Sequence, residues 1–257
     1  MTTISKPPDL SVVLPAYNEA GSIEHVVRDM ARYLGAAELS HEIHVVDDGS
    51  GDGTPDLLNA LGSEVPALRV LRHRENLGYG AALRSGIAAA RGDFVLLADG
   101  DGQFRVEGVG ELWKRRHEAD LVLGFRNPRR DPHLRRAAGW LYGRVIVPLA
   151  LGGRFRDVNC GFKLLRRRVV EQMELRSHGA LFSAELLTRA RLAGATWVEV
   201  GVDHVPRRCG SATGLLPRVI AGMIGELFRH RTAILRSGRA AANGLRTGCD
   251  AVESASA

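Results

Sequence analysis

Asp93-Phe94-Val95-Leu96-Leu97-Ala98-Asp99-Gly100-Asp101-Gly102-Gln103 is the stretch on which the reading of this chain turns. The run from Asp93 to Ala98 is short, apolar and rich in strand formers, which predicts a buried strand, and two glycines then force a turn. Asp99 and Asp101 therefore stand at a strand's carboxyl end, where open α/β sheets bind ligands. Hard oxygen donors at that spacing suit Mg²⁺ or Mn²⁺, with a diphosphate supplying further ligands. Asp-Gly is also a common turn dipeptide, so a plain Asx-rich turn is the competing reading.

The same alternation extends to both sides. Leu10-Ser11-Val12-Val13-Leu14 reads as a first strand ended by Pro15. Ile23, Val26, Val27, Met30 and Leu34 then mark one face of a helix. Glu42 to Val46 reads as a second strand, stopped by Asp47-Asp48-Gly49-Ser50. A short helix from about Thr54 leads to a third strand at Leu68–Leu71. The segment Gly80–Arg91 reads as helical with Gly92 as its stop. Beyond the Asp93–Ala98 strand come a helix near Val106–His117 and a strand at Leu121–Leu123. Strands alternating with helices imply a mostly parallel sheet with helices on both faces. Right-handed crossovers then bring the turns after strands one, two and four to one edge.

At 257 residues there is room for one substantial domain or two at most. A hydrophobic content of 45% and a charged content of 25% are those of an ordinary globular protein. The net charge of +6 suits phosphorylated or anionic partners. Lys6, Lys114 and Lys163 are the only lysines, so nearly all of that charge is arginine. A GC-rich genome gives the same bias, although arginine also suits bidentate phosphate contacts. Cys160, Cys209 and Cys249 have no metal-type spacing, and a reducing cytoplasm is the simplest setting. Met1–Leu10 has no apolar core of signal-peptide type. Ala137–Leu151, interrupted by Arg144 and Pro148, is shorter than the ~20 residues of a membrane span. No nucleic-acid recognition module is legible.

Four motifs stand in order: Leu14-Pro15-Ala16-Tyr17-Asn18-Glu19, Val46-Asp47-Asp48-Gly49-Ser50, Asp99-Gly100-Asp101-Gly102-Gln103 and Asp157-Val158-Asn159-Cys160-Gly161-Phe162-Lys163. Over roughly residues 9–212 this series resembles family 2 of the inverting glycosyltransferases, most closely the polyprenyl-phosphate (dolichyl-phosphate) mannosyl- and glucosyltransferases. The resemblance implies a GT-A-type α/β fold that binds a nucleoside-diphosphate sugar, GDP-mannose ahead of UDP-glucose. It implies that Pro15, Tyr17 and Glu19 form a wall of the nucleotide pocket and that Asp48 meets the nucleobase. It further implies that Asp99, Asp101 and Gln103 hold Mg²⁺ or Mn²⁺ on the diphosphate, with Asp101 central to catalysis. Arg74 and Asn76-Leu77-Gly78-Tyr79-Gly80 precede a helix and read either as a phosphate cradle or as a plain turn. They lack the full dinucleotide and P-loop spacings.

The basic run Gly124–Arg136 leads into an amphipathic stretch with Trp140, Leu141, Val145, Ile146 and Leu149. It reads as a solvated loop, or, by resemblance, as the loop that takes the acceptor, a polyprenyl phosphate, with Arg126 on its phosphate. Phe182-Ser183-Ala184-Glu185 resembles the helix that carries a catalytic carboxylate, here Glu185, although relatives often have Asp where Ala184 stands. His204-Val205-Pro206-Arg207 resembles a phosphate-contacting motif, with Arg207 as the contact. Pro217–Leu235 reads as an amphipathic helix for packing, a homo-oligomer contact or a membrane surface. The expected organisation is a catalytic domain over 1–212, that helix within 213–236 and a disordered tail over 237–257. The expected setting is cytoplasmic, with peripheral contact at a membrane's inner face. A transferase acting on a hydroxyl-bearing small molecule or peptide is the alternative.

Overall fold

The strands are β1 (Leu10–Ala16), β2 (His41–Asp47), β3 (Leu68–Arg72), β4 (Phe94–Leu97), β5 (Leu121–Arg126), β6 (Lys163–Arg166) and β7 (Trp197–Val202). In this computed structural model residues 7–127, 139–206, 225–227, 229–232 and 234–235 are described. The strands form one sheet in the order β3-β2-β1-β4-β6-β5-β7. β1 to β4 pair in parallel, whereas β6 runs antiparallel to both β4 and β5, and β5 pairs in parallel with β7. The helices are α1 (Ile23–Ala36), α2 (Thr54–Glu64), α3 (Tyr79–Ala89), α4 (Glu107–Lys114), α5 (Val147–Leu151), α6 (Arg167–Val170) and α7 (Phe182–Leu192). A π-turn at Tyr142–Ile146 runs directly into α5.

Alternate residues of the central strands point into two apolar layers. Val12, Leu14 and Leu96 enter one with Ile23, Val27, Met30 and Leu34 of α1, as the helical spacing predicts. Val13, Val95 and Leu97 enter the other with Leu83 and Ile87 of α3 and Leu186 of α7. Burial on both faces explains why β4 reads as an unbroken apolar run and β1 as one broken only by Ser11.

Two of the boundaries that differ from expectation have a direct physical cause. β1 continues through Pro15, because β4 is paired with β1 only as far as Val13 opposite Leu97. The donor that proline lacks would face the space beyond β4's end, where the ladder demands none. α3 stops at Ala89, short of Arg91. The Arg91 amide is drawn to Ser11 Oγ and to Glu42 Oε1, and the Gly92 amide to Ser11 Oγ.

Glu42 is the hub of that lock. Buried at 3% exposure, it accepts from the Ser11 hydroxyl at 2.6 Å and from the Arg91 guanidinium at 2.9 and 3.1 Å. These bonds outweigh the penalty of burial and hold its carboxyl down at about 2. A folded-state value below the ordinary 4.5 means stabilisation that is complete above pH 4.5 and drains away as pH falls towards 2. The shift corresponds to about 3 kcal/mol at neutral pH. Urea titrations of Glu42→Gln should show a loss of that order at pH 7 and a shallower acid dependence. Wild-type stability at both pH 7 and pH 3 would refute this.

The helical residues 225–227, 229–232 and 234–235 lie on the second apolar layer, with Leu227 and Ile234 buried there. The expected tail from 237 onwards lies outside the described residues. No helix among the described residues is long and apolar enough to cross a membrane.

Candidate active site

The turns after β1, β2 and β4 meet at one edge of the sheet and are tied together by side chains. The Asn18 amide donates to Ser50 Oγ, and Asn18 Oδ1 accepts from the Gly51 amide. That exchange holds Asn18 in the left-handed region at φ 56°. The Glu19 amide donates to Thr54 Oγ1, and Ser22 Oγ donates to the Gly100 carbonyl at 3.0 Å. Pro15, Tyr17 and Glu19 therefore lie along one side of the Asp99 turn. Tyr17 is 48% exposed, a face available for stacking. The Glu19 carboxylate shares that Ser22 proton, its Oε2 lying 2.8 Å from the hydroxyl.

Asp99 is the most perturbed carboxyl at this edge. Burial and the charge of Asp101 push it up to about 6, against the Tyr79 hydrogen bond and the charges of Lys163 and Arg126. The Tyr79 hydroxyl donates to Asp99 Oδ1 at 2.9 Å, and both burial and the Asp99 charge raise the phenol well above its usual range. Gly161 abuts the Asp99 carboxylate so closely that a β-carbon there would overlap it. Two mutually repelling carboxylates at a strand end fit a divalent cation, which relieves the repulsion and leaves positions for phosphate oxygens. Gln103 stands differently. Its backbone amide donates to Asp101 Oδ1 and its side-chain nitrogen to the Val205 carbonyl. It fastens the turn to the 204–205 segment, where Phe104 pairs with His204. Among the described residues no three His, Cys, Asp or Glu side chains cluster as a metal site. Asp99 and Asp101 would hold the ion with the substrate's own oxygens.

Asp48 is occupied within the protein. Its carboxylate accepts from the amides of Leu77 and Gly78, at 3.0 and 2.8 Å, and bonds His73 Nδ1 at 2.6 Å. His73 Nε2 in turn meets Ser85 Oγ at 2.9 Å. In the structure Asp48 anchors the loop that delivers Tyr79. The glycine-rich stretch is accordingly more than a plain turn. Asp47, also absent from the sequence assignments, accepts from the Ser50 amide and from Arg72 Nε.

On the β5–β6 side, Arg126 Nε and Nη2 grip the two oxygens of Asp157 at 2.7 and 2.9 Å. Both side chains are under a tenth exposed. Lys163 is buried beside them, its ammonium donating to the Cys160 carbonyl and to Ser183 Oγ. Burial lowers its pKa. The Cys160 thiol is pushed up to about 12 by burial, which leaves it inert. Tyr79, Asp157 and Lys163 also gather at this edge. Their signal was position, in a glycine-rich helix start and in a motif quoted without side-chain assignments.

Glu185 is fully buried on α7. It accepts from the amides of Arg176 and Ser177 and from Arg189 Nε at 2.7 Å. Those bonds outweigh burial and lower its pKa. The structure thus ties Glu185 to the 176–177 backbone. Arg207 lies outside the described residues, one position past Pro206. Arg135 and Arg136 also lie outside them. Trp140, Arg144, Val145, Pro148, Leu149 and Arg154 line a groove of about 370 Å³. Trp140, Leu141 and Leu149 are exposed on this helix.

The glycosyl transferase family 2 model matches residues 11–173. A dodecaprenyl-phosphate galacturonate synthase of Rhizobium johnstonii is 33% identical over 173 residues, covering 65% of this chain and 50% of its own length. A dolichyl-phosphate beta-glucosyltransferase of Trichomonas vaginalis is 30% identical over 211 residues, covering 74% of this chain and 62% of its own length. The chain thus spans less than two thirds of these curated relatives. Among solved structures, glucosyl-3-phosphoglycerate synthase from Mycobacterium tuberculosis, bound to Mn²⁺, UDP and phosphoglyceric acid, superposes with a TM-score of 0.65. It is 25% identical and covers 90% of this chain and 78% of its own. The GT-A-type α/β architecture expected from sequence is therefore the one observed. This chain belongs to glycosyl transferase family 2.

Proposed function

We propose that the chain transfers a hexose, with inversion, from a nucleoside-diphosphate sugar to a polyprenyl monophosphate. The observation that carries the donor half is the Asp99/Asp101 pair at the end of β4, with Asp99 raised to about 6 by burial and its neighbour's charge. When bound, Mg²⁺ or Mn²⁺ would offset negative charge on the departing diphosphate. The protein's part is to hold the reactants in line. An acceptor oxygen approaches the anomeric carbon from the face opposite the diphosphate, and the old C–O bond breaks with its electron pair leaving on that diphosphate.

Glu185 bears on the acceptor. Its oxygens are held by backbone amides and Arg189, which leaves it poorly placed to take a proton. A phosphate monoester is already anionic and asks for no general base, so this environment favours a phosphate nucleophile over a neutral hydroxyl. Arg207 and the cationic side formed by Arg126 and Lys163 would attract that phosphate. The exposed Trp140, Leu141 and Leu149, rimmed by Arg144 and Arg154, would meet the prenyl chain at a membrane surface.

The donor reading moves from GDP-mannose towards a UDP-hexose. One relative's name carries glucose and another's galacturonate, and the structural neighbour binds UDP. A thermal-shift panel of UDP-glucose, UDP-galacturonate, GDP-mannose and dTDP-glucose with Mn²⁺ tests this, because a ligand that binds only the native state raises its melting temperature. A UDP conjugate should give the largest shift. No shift with any nucleotide would refute the donor assignment. The neighbour's phosphoglyceric acid supports a second reading, a small phosphorylated acceptor in place of the lipid.

A further inference from the structure

Glu226 lies beyond the span matched by the family model, in the helical residues 225–227. Its Oε1 accepts from the amides of His178 and Gly179, at 3.2 Å each. Glu185 takes the two preceding amides, those of Arg176 and Ser177. Four successive amides are therefore held by two glutamates, one from α7 and one from the C-terminal helix. The carbonyls of the same segment serve α3. His178 accepts from the Gly80 amide at 2.6 Å, and Ser177 from Arg84 Nη1 at 3.1 Å.

The contact with α3 is too close for side chains at two positions. At Gly78, where φ is +100°, a β-carbon would collide with the His178 carbonyl, and at Gly80 with that of Ser177. Between these glycines stands Tyr79, whose hydroxyl holds Asp99. The helix carrying Glu226 is itself seated by buried Leu227 and Ile234 and by Arg231 Nε donating to the Ala150 carbonyl at 2.8 Å. Burial and the Glu226 charge also raise the Tyr142 hydroxyl.

We propose that Glu226 is a positioning residue for the donor site: by fixing the 176–179 backbone against Gly78 and Gly80, it fixes Tyr79 and, through it, the Asp99 carboxylate. The inference rests on reading Asp99 and Asp101 as the nucleotide–metal pair. Without Glu226 the segment loses two of its four amide anchors, and the face against which α3 begins is free to shift. Glutamine keeps an acceptor oxygen at the same reach. Aspartate keeps the charge but is one methylene short.

The test uses the full chain as Glu226→Ala, Glu226→Asp and Glu226→Gln. Mn²⁺ affinity is read by electron paramagnetic resonance with whichever of UDP or GDP the wild type binds, and amide exchange is followed at Tyr79–Ala81. Alanine and aspartate should weaken Mn²⁺–nucleotide binding about fivefold or more, and glutamine should restore it. The same two variants should exchange the Gly80 amide faster, since its bond to His178 opens more often. Wild-type affinity and exchange in Glu226→Ala would overturn the proposal, whatever happens to the melting temperature. If alanine does not fold, aspartate behaving like glutamine overturns it equally. A wild type that binds neither nucleotide would refute the functional reading instead, and exchange at Gly80 alone would then decide the role of Glu226.

Discussion

Asp101→Asn should lower kcat by about a hundredfold to a thousandfold while leaving the melting temperature close to that of the wild type. The substitution keeps the side chain's shape and an oxygen for the Gln103 amide, so the turn survives. What it removes is one of the two charges that make this edge attractive to a divalent cation. Asp99, raised to about 6 by burial and by the Asp101 charge, then loses the second of these causes, so its pKa should fall while burial still holds it up. Steady-state kinetics over a Mn²⁺ titration checks the prediction. Full activity in the variant, or in excess chelator, would count decisively against the assignment.

Arg126→Ala should cost about 3–5 kcal/mol of stability, because it removes both guanidinium bonds that hold the buried Asp157 carboxylate. The sequence alone suggests a milder variant, impaired towards acceptor phosphate and normal towards the donor. The pairing with Asp157 at 2.7 and 2.9 Å changes that expectation. The Arg126 charge also acts on Asp99, so donor binding should weaken as well. Chemical denaturation of Arg126→Ala beside Arg126→Met/Asp157→Leu separates the effects, since removing both charges should return much of the stability. If the single variant is as stable as the wild type, the ion pair contributes nothing.

The left half of the sheet was legible in the sequence because each strand there is a buried apolar run bounded by turn residues. β1 to β4, α1 and the convergence of their turns follow from pattern and handedness alone. β6 escaped because Lys163-Leu164-Leu165-Arg166 is four residues long with a charge at either end. Its antiparallel insertion between β4 and β5 is a tertiary choice that no local pattern encodes. β7 escaped for a similar reason, having mixed burial at the sheet's edge.

For the site, residue types located the chemistry but not the partners. Asp99 and Asp101 stand together where the motif put them. Asp48, Gln103 and Glu185 are equally visible, and the structure adds that each also fastens neighbouring backbone. A carboxylate's partners 29 or 30 positions away, as between Asp48 and the 77–78 amides, are fixed only once the sheet has formed. Tyr79 illustrates the converse. Nothing local marks it as a donor to Asp99, because the contact spans α3 and β4 and depends on two glycines that let the 177–178 backbone approach.

Product analysis tests the central claim most directly. The purified full chain is incubated with Mn²⁺, labelled UDP-hexoses and GDP-mannose, and an equal choice of a polyprenyl monophosphate, phosphoglyceric acid and a neutral polyol, and the products are identified by mass spectrometry. Label should appear on the prenyl phosphate, carried as a hexosyl phosphodiester of inverted anomeric configuration and abolished by Asp101→Asn. Label on phosphoglyceric acid or the polyol, with none on the prenyl phosphate, would contradict it.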